Sequence, residues 1–326
     1  MKTILVTGGA GFIGCNFINW FLDKNKDFTV INLDKLTYAG NLDNLKNVEN
    51  SPLYRFIKGD ICDAGLVKDI MEQDQPDYII NFAAESHVDR SISHPLIFAE
   101  SNIIGVATLL DAAYRFWGKN GFDGKRFVQI STDEVYGSIG QEGIPFSEES
   151  PLLPNSPYSA SKASADLLVR SFVKTYHFPA IITRCCNNYG PCQNTEKFIP
   201  TCIANTLRNI PIPIYGDGSN IREWIHVLDH CEAIATALFG GKPGEIYNIG
   251  SGEELSNIDL AKIILKCLNK PDDQIEMVND RPGHDFRYAL NSVKVKRSLG
   301  WTCKYKFEAG IQDTINSYKD HQKEIS

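Results

Sequence analysis

The run Ser131-Thr132-Asp133-Glu134-Val135-Tyr136-Gly137 sets hydroxyls and two adjacent carboxylates directly after a short apolar segment, Phe127 to Ile130. That segment reads as a buried parallel strand, and open α/β sheets bind ligands beyond the carboxyl ends of their strands. Further on, Tyr158-Ser159-Ala160-Ser161-Lys162 sets a tyrosine and a lysine four apart, on one face of a helix. A free phenol titrates near about 10 and is a poor base at neutral pH, but a neighbouring ammonium, with the positive charge of an oxidised hydride acceptor, favours the phenolate. That phenolate can take a hydroxyl proton while hydride leaves the same carbon. A simple dehydrogenation needs only this pair. The carboxylates add elimination. A new ketone acidifies the hydrogen on the next carbon, so a base can remove it while an acid expels a hydroxyl beyond. Each such group contributes roughly 10²–10⁴-fold. Two carboxylates in one pocket can split their pKa values, one protonated and one ionised. The reading assigns Glu134 as base and Asp133 as acid, with Thr132 bonding the hydroxyl that Tyr158 deprotonates. An ideal strand aims neighbouring side chains to opposite faces. Both carboxylates therefore reach one substrate only where the backbone turns, which Gly137 permits.

A hydride needs an acceptor, and the start of the chain offers a place for one. An apolar strand runs into Gly8-Gly9-Ala10-Gly11-Phe12-Ile13-Gly14. A glycine-rich turn between strand and helix lets the backbone approach a pyrophosphate, whose charge sits on the helix N-terminus. Asp34 ends the second strand, about 20 residues on, where a carboxylate bonds the adenosine ribose hydroxyls and repels a 2′-phosphate. The expected cofactor is NAD rather than NADP; Lys35 is the feature that argues the other way. Asp60-Ile61 follows the third strand, where an adenine edge would lie. Phe82-Ala83-Ala84-Glu85-Ser86-His87 ends the fourth, with small residues that suit a flat cofactor. His87 reads as a structural hydrogen-bonding residue.

These groups need a frame. Apolar strand patterns fall at 3–7, 28–33, 54–57, 78–82, 127–130 and 180–183, with helical patterns near 12–23, 63–73, 95–117 and 158–176. Repeated β-α-β with unbroken apolar strands predicts a Rossmann-type, doubly wound parallel sheet covered by helices on both faces. The second half is richer in Pro, Gly and Asn. It predicts helices at 197–208, 229–239, 257–268 and 308–320 and strands near 212–215, 223–227 and 245–249. The expected division is a cofactor domain over 1–184 and a smaller α/β substrate domain over 185–326, with the 221–249 region as a candidate to return to the first.

The bulk numbers exclude other classes. The 326 residues are 43% hydrophobic and 22% charged, with a net charge of −7 and no basic patch to suggest a nucleic-acid partner. No CxxC pair occurs among the nine cysteines, so reduced thiols in a cytoplasmic, reducing compartment are expected and a metal site is not. There is no signal peptide pattern and no run of 18 apolar residues, so no membrane partner is expected.

The glycine loop with Tyr158-xxx-Lys162 resembles the extended short-chain dehydrogenase/reductases. Within them the whole chain resembles the nucleoside-diphosphate-glucose 4,6-dehydratases. The marks are Asp34-Lys35-Leu36-Thr37-Tyr38-Ala39-Gly40-Asn41, Ala84-Glu85-Ser86-His87-Val88-Asp89-Arg90-Ser91, Thr132-Asp133-Glu134, Asn187-Asn188-Tyr189-Gly190-Pro191 and Asp280-Arg281-Pro282-Gly283-His284-Asp285. The resemblance implies a tightly held NAD and a dTDP-glucose substrate, with UDP-glucose as the alternative. Hydride leaves carbon 4, water is lost across carbons 5 and 6, and hydride returns to carbon 6. It implies the same roles for Tyr158, Asp133 and Glu134. It places Gly8, Gly11, Phe12, Ile13, Gly14, Asp34 to Thr37, Asp60, Ile61, Phe82 to Ser86, Ser101, Lys162 and Asn188 around NAD. Ser86, Thr132, Asn187, Lys197, Phe198, Pro213 to Tyr215, Arg222, Asn257 and His284 would surround the sugar nucleotide. Lys197 and Arg222 are sensible diphosphate partners. A homodimer is implied, pairing the helices near 95–117 and 158–176 in a four-helix bundle.

Cys186, Cys192, Asn194 and Thr195 depart from the family pattern, in a loop expected over the sugar nucleotide. Two competitors stand against the dehydratase reading. A sugar-nucleotide 4-epimerase or decarboxylase would leave Asp133 and Glu134 without work. A non-catalytic NAD-binding regulator would be expected to lack Tyr158 or Lys162, and both are present.

Overall fold

The computed structural model describes residues 1–280 and 282–325. Its strands are β1 (Lys2–Thr7), β2 (Phe28–Asp34), β3 (Tyr54–Lys58), β4 (Tyr78–Asn81), β5 (Arg126–Thr132), β6 (Ala180–Cys185), β7 (Asn187–Tyr189), β8 (Ile212–Tyr215), β9 (Ile221–His226), β10 (Ile246–Ile249), β11 (Glu254–Ser256) and β12 (Ile275–Val278). Its helices are α1 (Phe12–Lys24), α2 (Ala64–Asp74), α3 (Val88–Ser93), α4 (Pro95–Ala99), α5 (Gly105–Trp117), α6 (Pro157–Tyr176), α7 (Phe198–Leu207), α8 (Val227–Gly240), α9 (Asn257–Cys267), α10 (Val293–Leu299) and α11 (Phe307–Ile325).

Seven strands form one parallel sheet in the order β10-β6-β5-β4-β1-β2-β3. The order reverses between β1 and β4, which opens a crevice at their carboxyl ends. One face of the sheet is covered by α1 and α8, the other by α2, α5 and α6. Polar side chains cross the switch point inside the sheet: Thr7 donates to Asn81, and Asn81 donates to Gln129 at 2.9 Å. Such buried groups are tolerated because each finds a partner.

After β6 the chain builds a smaller lobe. It holds the three-stranded sheet β11-β9-β7, the pair β12-β8, and α7, α9 and α11 around a separate core. Within the 221–249 region, α8 and β10 lie on the large sheet and β9 in the small one.

The helical pattern over 95–117 is interrupted. A π-turn at Glu100–Ile104 separates α4 from α5. By length and apolarity the whole run Pro95–Trp117 could cross a membrane, but Val106, Leu109, Leu110, Ala113 and Trp117 are buried in the sheet core. The short α3, β7, β11, β12 and α10 had no clear sequence period, since elements this brief complete at most two turns or two pleats.

Candidate active site

A cleft of about 340 Å³ lies along the crevice at the strand ends. One end of it is the glycine loop. Gly8 has φ +69°, and a Cβ there would sit 2.5 Å from the Ala83 nitrogen. A Cβ on Gly14 would sit 2.4 Å from the Gly8 carbonyl oxygen, so the loop can lie flat on α1 only without side chains. A Cβ on Gly11 would crowd nothing closer than 3.3 Å, so this backbone faces open cleft. Asp34 is buried at the end of β2, accepting from Ala10 N at 2.9 Å and Leu36 N at 2.8 Å. Lys35 is paired with Asp60 at 2.6 Å.

The other end holds the acid–base groups. Strand β5 ends at Thr132, whose hydroxyl accepts from Glu134 N at 3.3 Å and starts a 3₁₀ turn over Asp133–Tyr136. Gly137 closes the turn at φ +85°, where a Cβ would meet the Leu153 carbonyl oxygen at 2.3 Å. This turn brings Asp133 and Glu134 into the same cleft, which an extended strand would not do. Beneath it, Arg184 pairs with Asp166 at 2.8 Å and donates to Tyr136 at 2.8 Å, and Tyr136 donates to Asn248 at 2.8 Å. The turn therefore rests on a buried network joining α6, β6 and β10.

Helix α6 starts with a reciprocal cap between Ser156 and Ser159 and with Pro157 at its first position. Tyr158 is thus fixed in the first turn, its ring edge-on to Phe98 at 6.3 Å. Lys162 follows one turn later. Asn102, on the π-turn, accepts from Glu85 N at 2.9 Å and donates to Ser161 at 2.8 Å. The irregular turn thereby ties the end of β4 to α6, as π-turns often do beside functional sites.

Burial is the leading cause of the shifts in these groups. Asp133 is 2% exposed, and desolvation, then the charge of Glu134, pushes its carboxyl well up, toward the neutral acid. Tyr158 is pushed up by burial, then by Glu134 and Asp133, against a hydrogen bond with Thr132. Lys162 is lowered to about 8 by burial, and its ammonium donates to the Ile130 carbonyl at 2.6 Å. Two charges are expected to favour the Tyr158 phenolate, the Lys162 ammonium and an oxidised nicotinamide, and the protein alone supplies only the first. Desolvation moves both groups toward their neutral forms, and the carboxylates oppose the phenolate.

Of the expected cofactor residues, Gly8, Gly11, Phe12, Ile13, Gly14, Asp34, Lys35, Thr37, Asp60, Ile61, Phe82, Ala83, Ala84, Ser86, Ser101 and Asn188 line the cleft with Tyr158 and Lys162. Leu36 does not; its φ of +56° lets its N–H hold Asp34. Of the expected substrate residues, Ser86, Thr132, Asn187, Lys197 and Phe198 line the cleft. Pro213, Tyr215, Arg222, Asn257 and His284 stand outside its lining. Arg222 donates to the carbonyls of Asp285 at 2.9 Å, Phe286 at 3.2 Å and Ile221 at 2.7 Å. His284 bonds Asp280 at 2.6 Å and meets the Tyr215 ring edge-on at 6.0 Å. Arg281 lies outside the described residues.

Sequence reasoning missed Trp224 and His230, which also line the cleft. Neither sits in a motif, and only the fold brings β9 and α8 to this wall. Among the described residues, eight of the sixteen buried side-chain polar atoms without a partner lie on cleft residues. They include Asp133 Oδ2, Ser131 Oγ, Glu85 Oε2, Asn187 Oδ1, Trp224 Nε1 and His230 Nε2, all on cleft residues. Buried polar atoms cost free energy unless bonded, so their concentration marks a place built for a polar ligand. With the flat glycine cradle and Asp34 at the far end, the residues fit a dinucleotide.

The sequence matches the family model described as GDP-mannose 4,6 dehydratase over residues 5–314. The chain belongs to this family. It is 48% identical to a dTDP-glucose 4,6-dehydratase of Xanthomonas campestris, an alignment covering 99% of this chain and 94% of the relative. It is 51% identical to the low-salt glycan biosynthesis protein Agl12 of Haloferax volcanii, covering 97% and 98%. Its fold superposes with a TM-score of 0.93 on the crystal structure of DesIV, a dTDP-glucose 4,6-dehydratase from Streptomyces venezuelae with NAD and TYD bound. That structure is 47% identical and covers 99% of this chain and 98% of its own. The family and the Xanthomonas and Streptomyces proteins agree with the dehydratase resemblance read from Thr132-Asp133-Glu134 and the other motifs.

Proposed function

We propose that this chain is an NAD-dependent hydro-lyase that converts dTDP-glucose to dTDP-4-keto-6-deoxyglucose. The observation that carries this reading is the 3₁₀ turn that sets Asp133 and Glu134 in the same cleft as Tyr158 and Lys162. NAD supplies a reversible hydride sink, filled from carbon 4 and emptied to carbon 6, and a positive charge at the nicotinamide. The glycine loop, Asp34 and the Phe82–Ser86 segment would hold it, and Lys162 would position its ribose.

The remaining steps belong to the side chains. Tyr158 takes the proton of the 4-hydroxyl, with Thr132 bonding the same oxygen. Burial and the two carboxylates oppose the phenolate in the protein alone, so a nearby positive charge is what makes this transfer favourable. Glu134 then removes the proton on carbon 5, which the 4-ketone has acidified. Asp133, kept neutral by burial, gives its proton to the 6-hydroxyl, which leaves as water. The proton on Glu134 goes back to carbon 5 as hydride arrives at carbon 6. The sheet unit, 1–184 with α8 and β10, holds the cofactor, and the smaller lobe covers the sugar nucleotide.

The functional unit is a homodimer. Leu96, Ile97 and Ile104 are 82%, 43% and 55% exposed, and Leu167 on α6 is 54% exposed. Apolar side chains exposed on these helices suit pairing with a second copy.

The test is incubation with dTDP-glucose and with UDP-glucose, followed by the alkaline absorbance of a 4-keto sugar and by product mass. Loss of one water with faster turnover on dTDP-glucose is expected. A product of unchanged mass would make the chain an epimerase, and faster turnover on UDP-glucose would overturn the assigned base.

A further inference from the structure

Two thiols lie near each other where α1 meets the loop between β7 and α7. Cys15 lies in the first turns of α1, right after the glycine loop, and is fully buried. Cys192 lies in the loop between β7 and α7, partly buried against the same core. The Cys192 side chain is the neighbour that most strongly raises the Cys15 thiol, so the two lie close together. The loop backbone is held beside α1 as well: Asn16 donates to the Pro191 carbonyl at 2.9 Å, and Tyr318 on α11 donates to the Gln193 carbonyl. Cys192 has φ +69°, a left-handed conformation uncommon outside glycine and asparagine. The residues just beyond it, Gln193, Asn194, Glu196 and Lys197, line the cleft, as do Phe12 and Ile13 just before Cys15. A covalent bond between the sulfurs would join the first helix of the cofactor cradle to the loop over its opening.

We propose that Cys15 and Cys192 form an oxidisable dithiol, and that their disulfide staples the 190–197 loop over the cleft and slows cofactor exchange. The oxidant is a low-molecular-weight disulfide of the glutathione type, RSSR. The more exposed Cys192 attacks as thiolate, forming Cys192–S–S–R and releasing one RS⁻. Cys15 then loses its proton and attacks the Cys192 sulfur, and the second RS⁻ leaves. Two protein thiols are oxidised, and RSSR is reduced to two RSH. The order follows from placement: the Cys192 sulfur beside it and burial both push the Cys15 thiol up, so Cys15 keeps its proton until its neighbour has reacted. In a reducing compartment such a bond is transient, which suits a sensor rather than a structural link.

The cross-link is tested by treating the full chain with oxidised glutathione, alkylating the remaining thiols and mapping peptides by mass. A linked peptide pair containing Cys15 and Cys192, lost on reduction with dithiothreitol, is expected. Cys192→Ser should abolish it, while Cys231→Ser, which changes a nearby buried thiol, should keep it. An unlinked Cys15 in the oxidised wild-type protein would overturn the pairing without appeal to any variant. The staple is tested by dilution release of bound NAD from oxidised and reduced protein. Release slowed by at least about tenfold is expected, and equal rates would overturn the staple even where the cross-link forms. Only this second arm rests on the proposed NAD function: failure to bind NAD in the reduced state would count against that function, and the peptide map would still decide the pairing.

Discussion

On the floor of the cleft, Asp133, Tyr158 and Lys162 are 2%, 9% and 5% exposed, and burial is the leading cause of each one's shift toward neutrality. At the expected rim, outside the cleft lining, Arg222 and His284 direct polar atoms to the protein itself, to backbone carbonyls and to Asp280. The floor is therefore prepared before ligand arrives. Its groups sit on a strand end, a capped helix and a buried ion-pair network, and a low dielectric sets their protonation. For the proposed ligand role, the rim must exchange protein partners for ligand partners, and each exchange subtracts from binding. Catalysis gains most from groups that need no rearrangement, whereas recognition tolerates some.

The sharpest way to break this contrast is at Tyr158. Tyr158→Phe should lower turnover by roughly 10²–10⁴-fold and abolish the absorbance of reduced nicotinamide on mixing with substrate. Retained cofactor reduction would remove Tyr158 from the redox step. Glu134→Gln should separate the two halves of the floor chemistry. Product formation should fall by about 10²-fold or more while cofactor reduction persists, and normal dehydration would refute the base assignment.

At the rim the expected effects are smaller and mixed with stability. Arg222→Ala removes the charged donor to the carbonyls of Asp285 and Phe286, leaving them only Asn220 Nδ2 and Ile221 N. A cost of about 1–3 kcal/mol in unfolding free energy should accompany a raised KM. A raised KM with unchanged melting would show that Arg222 has no structural hold on the rim.

The smallest effect concerns Glu223, a 1%-exposed carboxylate on β9 that accepts from Gly252 N at 2.7 Å and Leu290 N at 2.8 Å. Burial raises it from 4.5 to about 7 against those two bonds. A folded pKa above the unfolded one means that its stabilising contribution is whole below 4.5 and is lost as pH rises through about 7. The melting temperature of Glu223→Gln should therefore decline less across this window than that of the wild type. Parallel profiles would show that the carboxylate does not titrate there.

The dinucleotide end was legible because its signals are local. Gly8 and Gly14 answer contacts within the loop and with the adjoining strand end, and Asp34 closes the next strand. The Ser156 cap and the Tyr158–Lys162 spacing lie within one helix. The rim was less legible. Pro213, Tyr215, Arg222, Asn257 and His284 come from separate segments of the smaller lobe, and their distance from the cleft depends on how those segments pack. Trp224 and His230 gave no signal, since each reaches the cleft through strand pairing and helix docking across the molecule.

The amino-acid order by itself determined the parallel α/β frame, the phosphate-binding loop and the identity of the acid–base side chains, because these follow from periodicity, capping and residue chemistry over a few positions. Only the tertiary structure decided in which direction each of those side chains is shifted, and which polar groups line the cleft rather than bond within the protein. Desolvation and partner choice depend on surrounding atoms from distant segments, and no local pattern encodes that enclosure.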